Sequence, residues 1–266
     1  DIEMEQEAQS RRMLLRDLQK GLDKKEFLLY YQPIVAMQTG KIVKAEALIR
    51  WDQPLRGRVN PGDFIPLTEE SGMIVPLGNW IFNEAMQQLA AWRTQYRSDF
   101  SLSVNVSPVQ LLSTDLDCKQ WLEKLAQLKI PSQALVIEIT ERMLLESDKI
   151  SDENINTLQT AGIELALDDF GTGYSSLSYL KRFDINYIKI DRSFVCNLHR
   201  ASEDVALCQA IIVMAHQLGI QVVAEGVETQ EQASYLRDRG VQMLQGYLYS
   251  RPLPVATFCQ DYLIES

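Results

Sequence analysis

Carboxylate, amide and lysine side chains recur at or just beyond the apolar runs of this chain. Gln32 lies in FLLYYQPIV (27–35), Glu46 in KIVKAEALIRW (41–51) and Asn105 in FSLSVNVSP (100–108). Glu138 and Glu141 close ALVIEITE (134–141), and Asp168 and Asp169 close GIELALDDFG (162–171). Lys189 and Asp191 lie in NYIKIDRSFV (186–195), Glu225 and Glu228 in IQVVAEGVE (220–228), and Gln245 in VQMLQGYLY (241–249). Any one of these acids reads equally well as a helix N-cap or a salt-bridge partner. The same pattern at all eight runs is harder to set aside, because an unpaired charge beside apolar sequence is costly.

Carboxylates that converge in one cavity raise each other's pKa unless a cation holds them. Together with an Asn carbonyl they form an oxygen-rich set that suits Mg²⁺ or Mn²⁺. Neighbouring side chains of an extended chain point to opposite sides, so Asp168 and Asp169 can splay apart. One of them could then bridge two ions roughly 3.5–4 Å apart. Taken alone, Asp-Asp-Phe-Gly reads as a loop with an N-cap. Lys189, in the apolar YIKI, either balances the acids or orients a water or phosphate oxygen. Glu225 and Glu228 are three residues apart; either could be a general base, and spacing does not choose between them. Arg50 reads either as a surface salt-bridge residue or as a bidentate phosphate contact. The two histidines, His199 and His216, read as structural, which argues against a His/Cys zinc site. Walker A, G-x-G-x-x-G and G-x-S-x-G motifs are absent from the sequence.

The elements that must position these groups follow from the pattern. After a charged, helix-favouring segment that Gly21 can stop, eight strand candidates appear, and from the second onward each precedes a helix. Gln38-Thr39-Gly40 signals a hairpin-like turn between the first two. A Gly/Pro-rich loop is expected over Asp52 to Pro66 and a helix from about Thr68 to Tyr96. Several strands are continuous apolar runs, as in a parallel sheet covered on both faces. The expectation is an α/β fold, a (β/α)8 barrel with its site at the strand C-termini, with a doubly wound open sheet as the rival.

The 266 residues carry 36 Asp+Glu against 26 Lys+Arg, a formal net charge of −10. That acidity argues against long nucleic-acid partners, but not against a small anion, since bound metal can invert the local sign. Four scattered cysteines without a C-x-x-C pair suit a reducing compartment. The uncharged stretch from Val205 to Ala224 reads as a buried helix and strand, with no direct membrane contact from this segment.

The motifs also resemble the EAL domain family over about residues 23–255. The resemblance rests on Tyr31-Gln32-Pro33-Ile34, Glu46-Ala47-Leu48-Ile49-Arg50-Trp51, Pro61-Gly62-Asp63-Phe64-Ile65-Pro66 and Asn105-Val106-Ser107. It continues through Glu138-Ile139-Thr140-Glu141, the run from Asp168 to Leu177, and Ile188-Lys189-Ile190-Asp191. Ala224-Glu225-Gly226-Val227-Glu228-Thr229 and Gln245-Gly246-Tyr247 complete it. It implies a TIM-like barrel with an antiparallel first strand, and hydrolysis of cyclic di-GMP to linear 5′-pGpG with Mg²⁺ or Mn²⁺, two ions being expected. By resemblance Glu46, Asn105, Glu138 and Asp168 bind metal and Asp169 holds the second ion. Lys189 orients the attacking water and Glu225 is the proposed general base. Gln32, Arg50, Asp191, Glu228 and Gln245 bind substrate or tune the site, and Glu141 braces the Asp168–Ser176 loop, which also lies at the family's dimer interface. Thr68 and Gln242-Met243 depart from common residues without removing a ligand.

The resemblance further implies a homodimer, a linker helix over residues 1–22 before a catalytic domain over 23–266, and an upstream sensory or GGDEF domain. A start at Asp1 suits a piece of a longer, cytoplasmic or membrane-anchored protein. The alternative within the family is a non-catalytic cyclic di-GMP receptor, whose usual signature of lost ligands is missing. Another metal-dependent barrel, such as an enolase-like enzyme, would rest on fold analogy alone.

Overall fold

The apolar runs become the staves of a barrel. The computed structural model describes residues 2–145, 148–172, 179–198 and 203–264. In chain order the elements are α1 (Ile2–Asp23), β1 (Phe27–Ala36), β2 (Ile42–Gln53), β3 (Gly57–Val59), α2 (Pro61–Glu70) and α3 (Ile74–Gln95). There follow β4 (Ser101–Asn105), α4 (Pro108–Leu112), α5 (Cys118–Gln127), β5 (Leu135–Thr140), α6 (Glu141–Leu145) and α7 (Lys149–Thr160). Next come β6 (Glu164–Phe170), α8 (Tyr179–Arg182), β7 (Tyr187–Ile190), α9 (Arg192–Val195) and α10 (Glu203–Gln217). The chain ends with β8 (Gln221–Ala224), α11 (Gln230–Arg237), β9 (Met243–Leu244), β10 (Leu253–Pro254) and α12 (Val255–Tyr262).

The pairings run from β1 through β2, β4, β5, β6, β7, β8 and β9 and back to β1, closing an eight-stranded barrel. The strand β1 is antiparallel to both of its barrel neighbours, β2 and β9, while the steps from β2 to β9 are parallel. Closure excludes the open doubly wound sheet. The short strands β3 and β10 add only local antiparallel pairing outside the ring.

Two cores hold the barrel. The larger fills the space between strands and helices, from Leu18 of α1 through Trp92 and Leu102 to Phe258. The smaller, formed by Ile34, Val136, Ala166, Tyr187, Val223 and Met243, makes an apolar floor from interior-facing strand positions. Side chains alternate with period two along a strand. Two residues above that floor on the respective strands stand Gln32, Glu138, Asp168, Lys189, Glu225 and Gln245. The apolar floor and the polar mouth are successive layers of one pattern.

Three local expectations change. The segment Asp52–Pro66 contains β3 and most of α2, because Asn60 caps α2 by accepting from the Gly62 N–H and Pro61 occupies the first helical turn, where no N–H is needed. The helix expected to begin at about Thr68 is split instead: α2 ends at Glu70, Gly72 takes φ +75°, and α3 begins at Ile74. The helix in the uncharged Val205–Ala224 stretch is not wholly buried, since Leu207 and Val213 of α10 are exposed. Among the described residues no helix is long and apolar enough to cross a membrane.

Candidate functional site

Lys189, 1% exposed, is the hub of the mouth. Its Nζ lies 2.6 Å from Glu225 Oε1, 3.3 Å from Asp168 Oδ1 and 3.4 Å from Glu46 Oε2, and it also donates to Glu138 Oε2. The barrel brings these groups to one point from β2, β5, β6, β7 and the residue just after β8. Burial alone would discharge the ammonium, but the charges of Asp168, Glu138, Glu225 and Glu46 outweigh burial and hold its pKa well above the usual lysine value.

The surrounding carboxylates differ in environment. Burial raises Glu46, but Lys189 and hydrogen bonds from Gln245 and Asn105 outweigh that and bring its pKa below the ordinary value. Asn105 Nδ2 donates to Glu46 Oε1 at 2.6 Å, and Gln245 Nε2 donates to Glu46 Oε2 at 2.6 Å. Gln245 also donates to Gln32 Oε1 at 3.1 Å, and Gln32 donates to the Ser250 carbonyl at 3.1 Å. Glu138 is pushed well up by burial and by the charge of Glu46. Burial pushes Glu225 up to about 8, with Lys189 opposing and Asp168 and Glu46 reinforcing the rise.

Asp168 and Asp169 reach the same region by a route that differs from simple strand alternation. Asp169 takes φ +53°, and the register with β7 shifts between Leu167 and Phe170. This bulge brings carboxylate oxygens of Asp168, Asp169 and Glu225 within 4.8 Å of one another. Glu141 accepts from the Gly171 N–H at 3.1 Å and so ties the start of the following loop to α6. The remainder of that loop, from Gly173 to Ser176, lies outside the described residues, as does His199. His216 meets the Gly240 carbonyl at 3.1 Å, away from the acids.

The donor set suits a hard divalent cation. Every ligand is an oxygen, and Asp168 Oδ1 is buried without a hydrogen bond although it lies in the field of Lys189. Asp168, Asp169 and Glu225 would provide the nearest three-point cradle. Glu46 and Glu138 stand beside it but already share Lys189, and Asn105 reaches the group through Glu46.

Other sequence-selected residues occupy the periphery. Asp191 caps α9 by accepting from the Ser193 N–H at 3.0 Å. Glu228 is at the rim, 2.9 Å from Arg192. Arg50 is half-buried in a neighbouring apolar cleft of about 280 Å³, where it donates to the Ile49 carbonyl and lies over the Tyr30 ring. The carboxylate mouth itself opens into a cavity of about 250 Å³ whose wall includes Gln32, Glu46, Asp168, Glu225 and Gln245. It also includes Arg192, Leu48 and Tyr247, which residue type and strand position did not single out. Arg192 had a sequence signal in its place directly after Asp191 at the end of an apolar run.

Geometry separates Glu225 from Glu228, which spacing left equivalent. Both line the cavity, but Glu225 meets Lys189 within the acid cluster, whereas Glu228 pairs with Arg192 at the exposed rim.

Comparisons with known proteins converge. The chain is 37% identical over 251 residues to the bifunctional diguanylate cyclase/cyclic di-GMP phosphodiesterase MucR of Pseudomonas aeruginosa, covering 94% of this chain and 36% of that protein. It is 38% identical over 248 residues to the cyclic di-GMP phosphodiesterase PdeR of Escherichia coli, covering 92% and 37%. The chain thus spans about a third of the length of the curated relatives it matches. Among solved structures, the PaMucR phosphodiesterase in complex with c-di-GMP superposes with a TM-score of 0.88 at 36% identity, covering 92% of this chain and 99% of that one. An EAL domain protein from Listeria monocytogenes gives 0.80 at 32% identity, covering 93% and 96%. The family description that matches, over residues 15–252, is the EAL domain. With the closed barrel and its antiparallel first strand beside that match, this chain belongs to the EAL domain family.

Proposed function

We propose that this domain hydrolyses cyclic di-GMP to linear 5′-pGpG with Mg²⁺ or Mn²⁺ as cofactor. The observation that supports it most is the convergence of Asp168, Asp169 and Glu225 beside Lys189, Glu46 and Glu138 at one barrel mouth. The phosphodiesterases among its relatives support the same substrate class.

In this reading Glu46, Asn105, Glu138, Asp168 and Asp169 hold two ions, with Glu225 at their edge. When bound, the ions supply Lewis acidity, lowering the pKa of a water and stabilising negative charge on the diester. The chain's own groups do the rest. Glu225 takes the proton of the attacking water, and Lys189 fixes the carboxylates and the water's position. Gln245 and Gln32 orient Glu46, while Glu141 holds the loop after Asp169. In the same reading Arg50, from the neighbouring cleft, and Asp191, at the start of α9, contact the substrate beyond the reacting phosphate. Glu228 tunes the rim.

The same reading carries a homodimer and a sensory or GGDEF segment in the remainder of a longer protein, in keeping with the length of its relatives. Chromatographic detection of pGpG in Mn²⁺ tests the activity. Glu46→Ala is expected to reduce turnover by at least about 10²-fold. Turnover near wild type in that variant would refute the metal assignment. Binding without turnover in the wild type would favour the receptor alternative.

A further inference from the structure

Among the described residues, few side-chain cations stand where an incoming phosphate can reach them. Lys189 is buried and its charge is shared among four carboxylates. Arg50 lies in the neighbouring cleft, bonded to its own strand. Among the described residues that line the carboxylate cavity, Arg192 is the basic one.

Arg192 is also held in place by a specific backbone feature. It opens α9 immediately after β7, and its stem crosses the loop that leaves β8. Gly226 takes φ +63°, and a Cβ there would stand 2.3 Å from Arg192 Cγ and 2.6 Å from Arg192 Cβ. Those atoms are the root of the side chain, which cannot swing aside as a tip can. The absence of a side chain at Gly226 therefore makes the channel in which the Arg192 stem lies. At the end of that channel the guanidinium meets Glu228 at 2.9 Å, with both side chains substantially exposed at 60% and 43%. An ion pair so exposed contributes little and opens at low cost.

We propose that Arg192 is a further substrate-contact arginine of this mouth, parked on Glu228 and transferred to a non-bridging phosphate oxygen when the diester enters. The assignment rests on the phosphodiesterase reading for its substrate. A planar guanidinium suits two oxygens of one phosphate, and a dianionic ligand competes well with one solvated carboxylate.

The test compares wild type, Arg192→Ala and Arg192→Lys by turnover of cyclic di-GMP in Mn²⁺ and by equilibrium binding of cyclic di-GMP in Ca²⁺. Arg192→Ala should raise KM and Kd about tenfold with kcat within about twofold. It should also flatten the rise of KM with ionic strength, and Arg192→Lys should recover part of the loss. KM for bis(p-nitrophenyl) phosphate, a diester without guanine, should rise alongside. A rise for cyclic di-GMP alone would overturn the phosphate contact in favour of a base contact. Unchanged KM and Kd, or a loss confined to kcat, would overturn the proposal outright. Arg192→Lys, which keeps charge and stem, guards against misfolding of the alanine variant. If wild type binds cyclic di-GMP without hydrolysing it, the phosphodiesterase reading fails while the Kd comparison still decides the role of Arg192. A wild type that neither binds nor hydrolyses cyclic di-GMP overturns both.

Discussion

Lys189 is buried among four carboxylates, so its removal leaves like charges facing one another. Breaking a buried ion cluster by deleting one partner costs about 3–5 kcal/mol. Lys189→Ala is therefore expected to lower the melting temperature, and Mn²⁺ should restore more stability to the variant than it adds to wild type. Thermal unfolding with and without the ion reads both effects; an unchanged melting temperature would contradict the hub role. Gln245 shows the same economy of placement. One amide nitrogen serves both Gln32 and Glu46, while its Oε1 is buried without a hydrogen bond.

At the scale of elements, the decisive irregularity is the end of β6. Asp169 occupies the left-handed region, which Asn and Asp tolerate better than other side chains with a Cβ. Asp169→Asn should keep the fold and lose affinity for the cation. Asp169→Val should lose affinity and also about 1–2 kcal/mol of stability. Calorimetry of the two variants separates charge from backbone strain; equal stability would show that the turn adapts. Much of the rest was legible from the sequence, because period-two patterning and apolar runs place the barrel strands directly. The bulge at Asp169 was not legible, since nothing in Asp-Asp-Phe-Gly distinguishes regular alternation from a left-handed turn. Helix α2 was hidden for a different reason: Pro61, Gly62 and Pro66 read as loop formers, but Asn60 and Pro61 together begin a helix. Likewise the strand expected over 186–195 stops at Ile190, where Asp191 caps α9. The choice between Glu225 and Glu228 needed three dimensions, because three residues of spacing fixes no direction once Gly226 turns the chain.

For the whole molecule, the net charge of −10 includes the acids gathered at the barrel mouth, and the fold carries a cost that depends on pH. Glu225 has a folded pKa of about 8 against an ordinary 4.5. Between those values the folded form binds more protons than the unfolded one, so this group makes stability fall as pH rises from about 4.5 to about 8. Above that range the slope from Glu225 vanishes. In chelator-treated protein, Glu225→Gln should flatten the decline and gain on the order of 2–4 °C at pH 8 relative to pH 5. The upshift in melting temperature on adding Mg²⁺ should also grow across the same window, because a bound cation competes with the proton. Parallel stability curves for variant and wild type would remove Glu225 from the linkage.

Hydrolysis at this mouth separates the phosphodiesterase from the receptor. Its most direct test is a time course of cyclic di-GMP with the wild-type domain in Mn²⁺, resolved chromatographically, then repeated with Glu225→Gln and with excess EDTA. Hydrolysis here requires stoichiometric conversion to linear pGpG by wild type, abolition by EDTA, and a loss of at least about 10²-fold in Glu225→Gln with cyclic di-GMP binding retained in Ca²⁺. Intact cyclic di-GMP in the wild-type reaction, despite measurable binding, would contradict it.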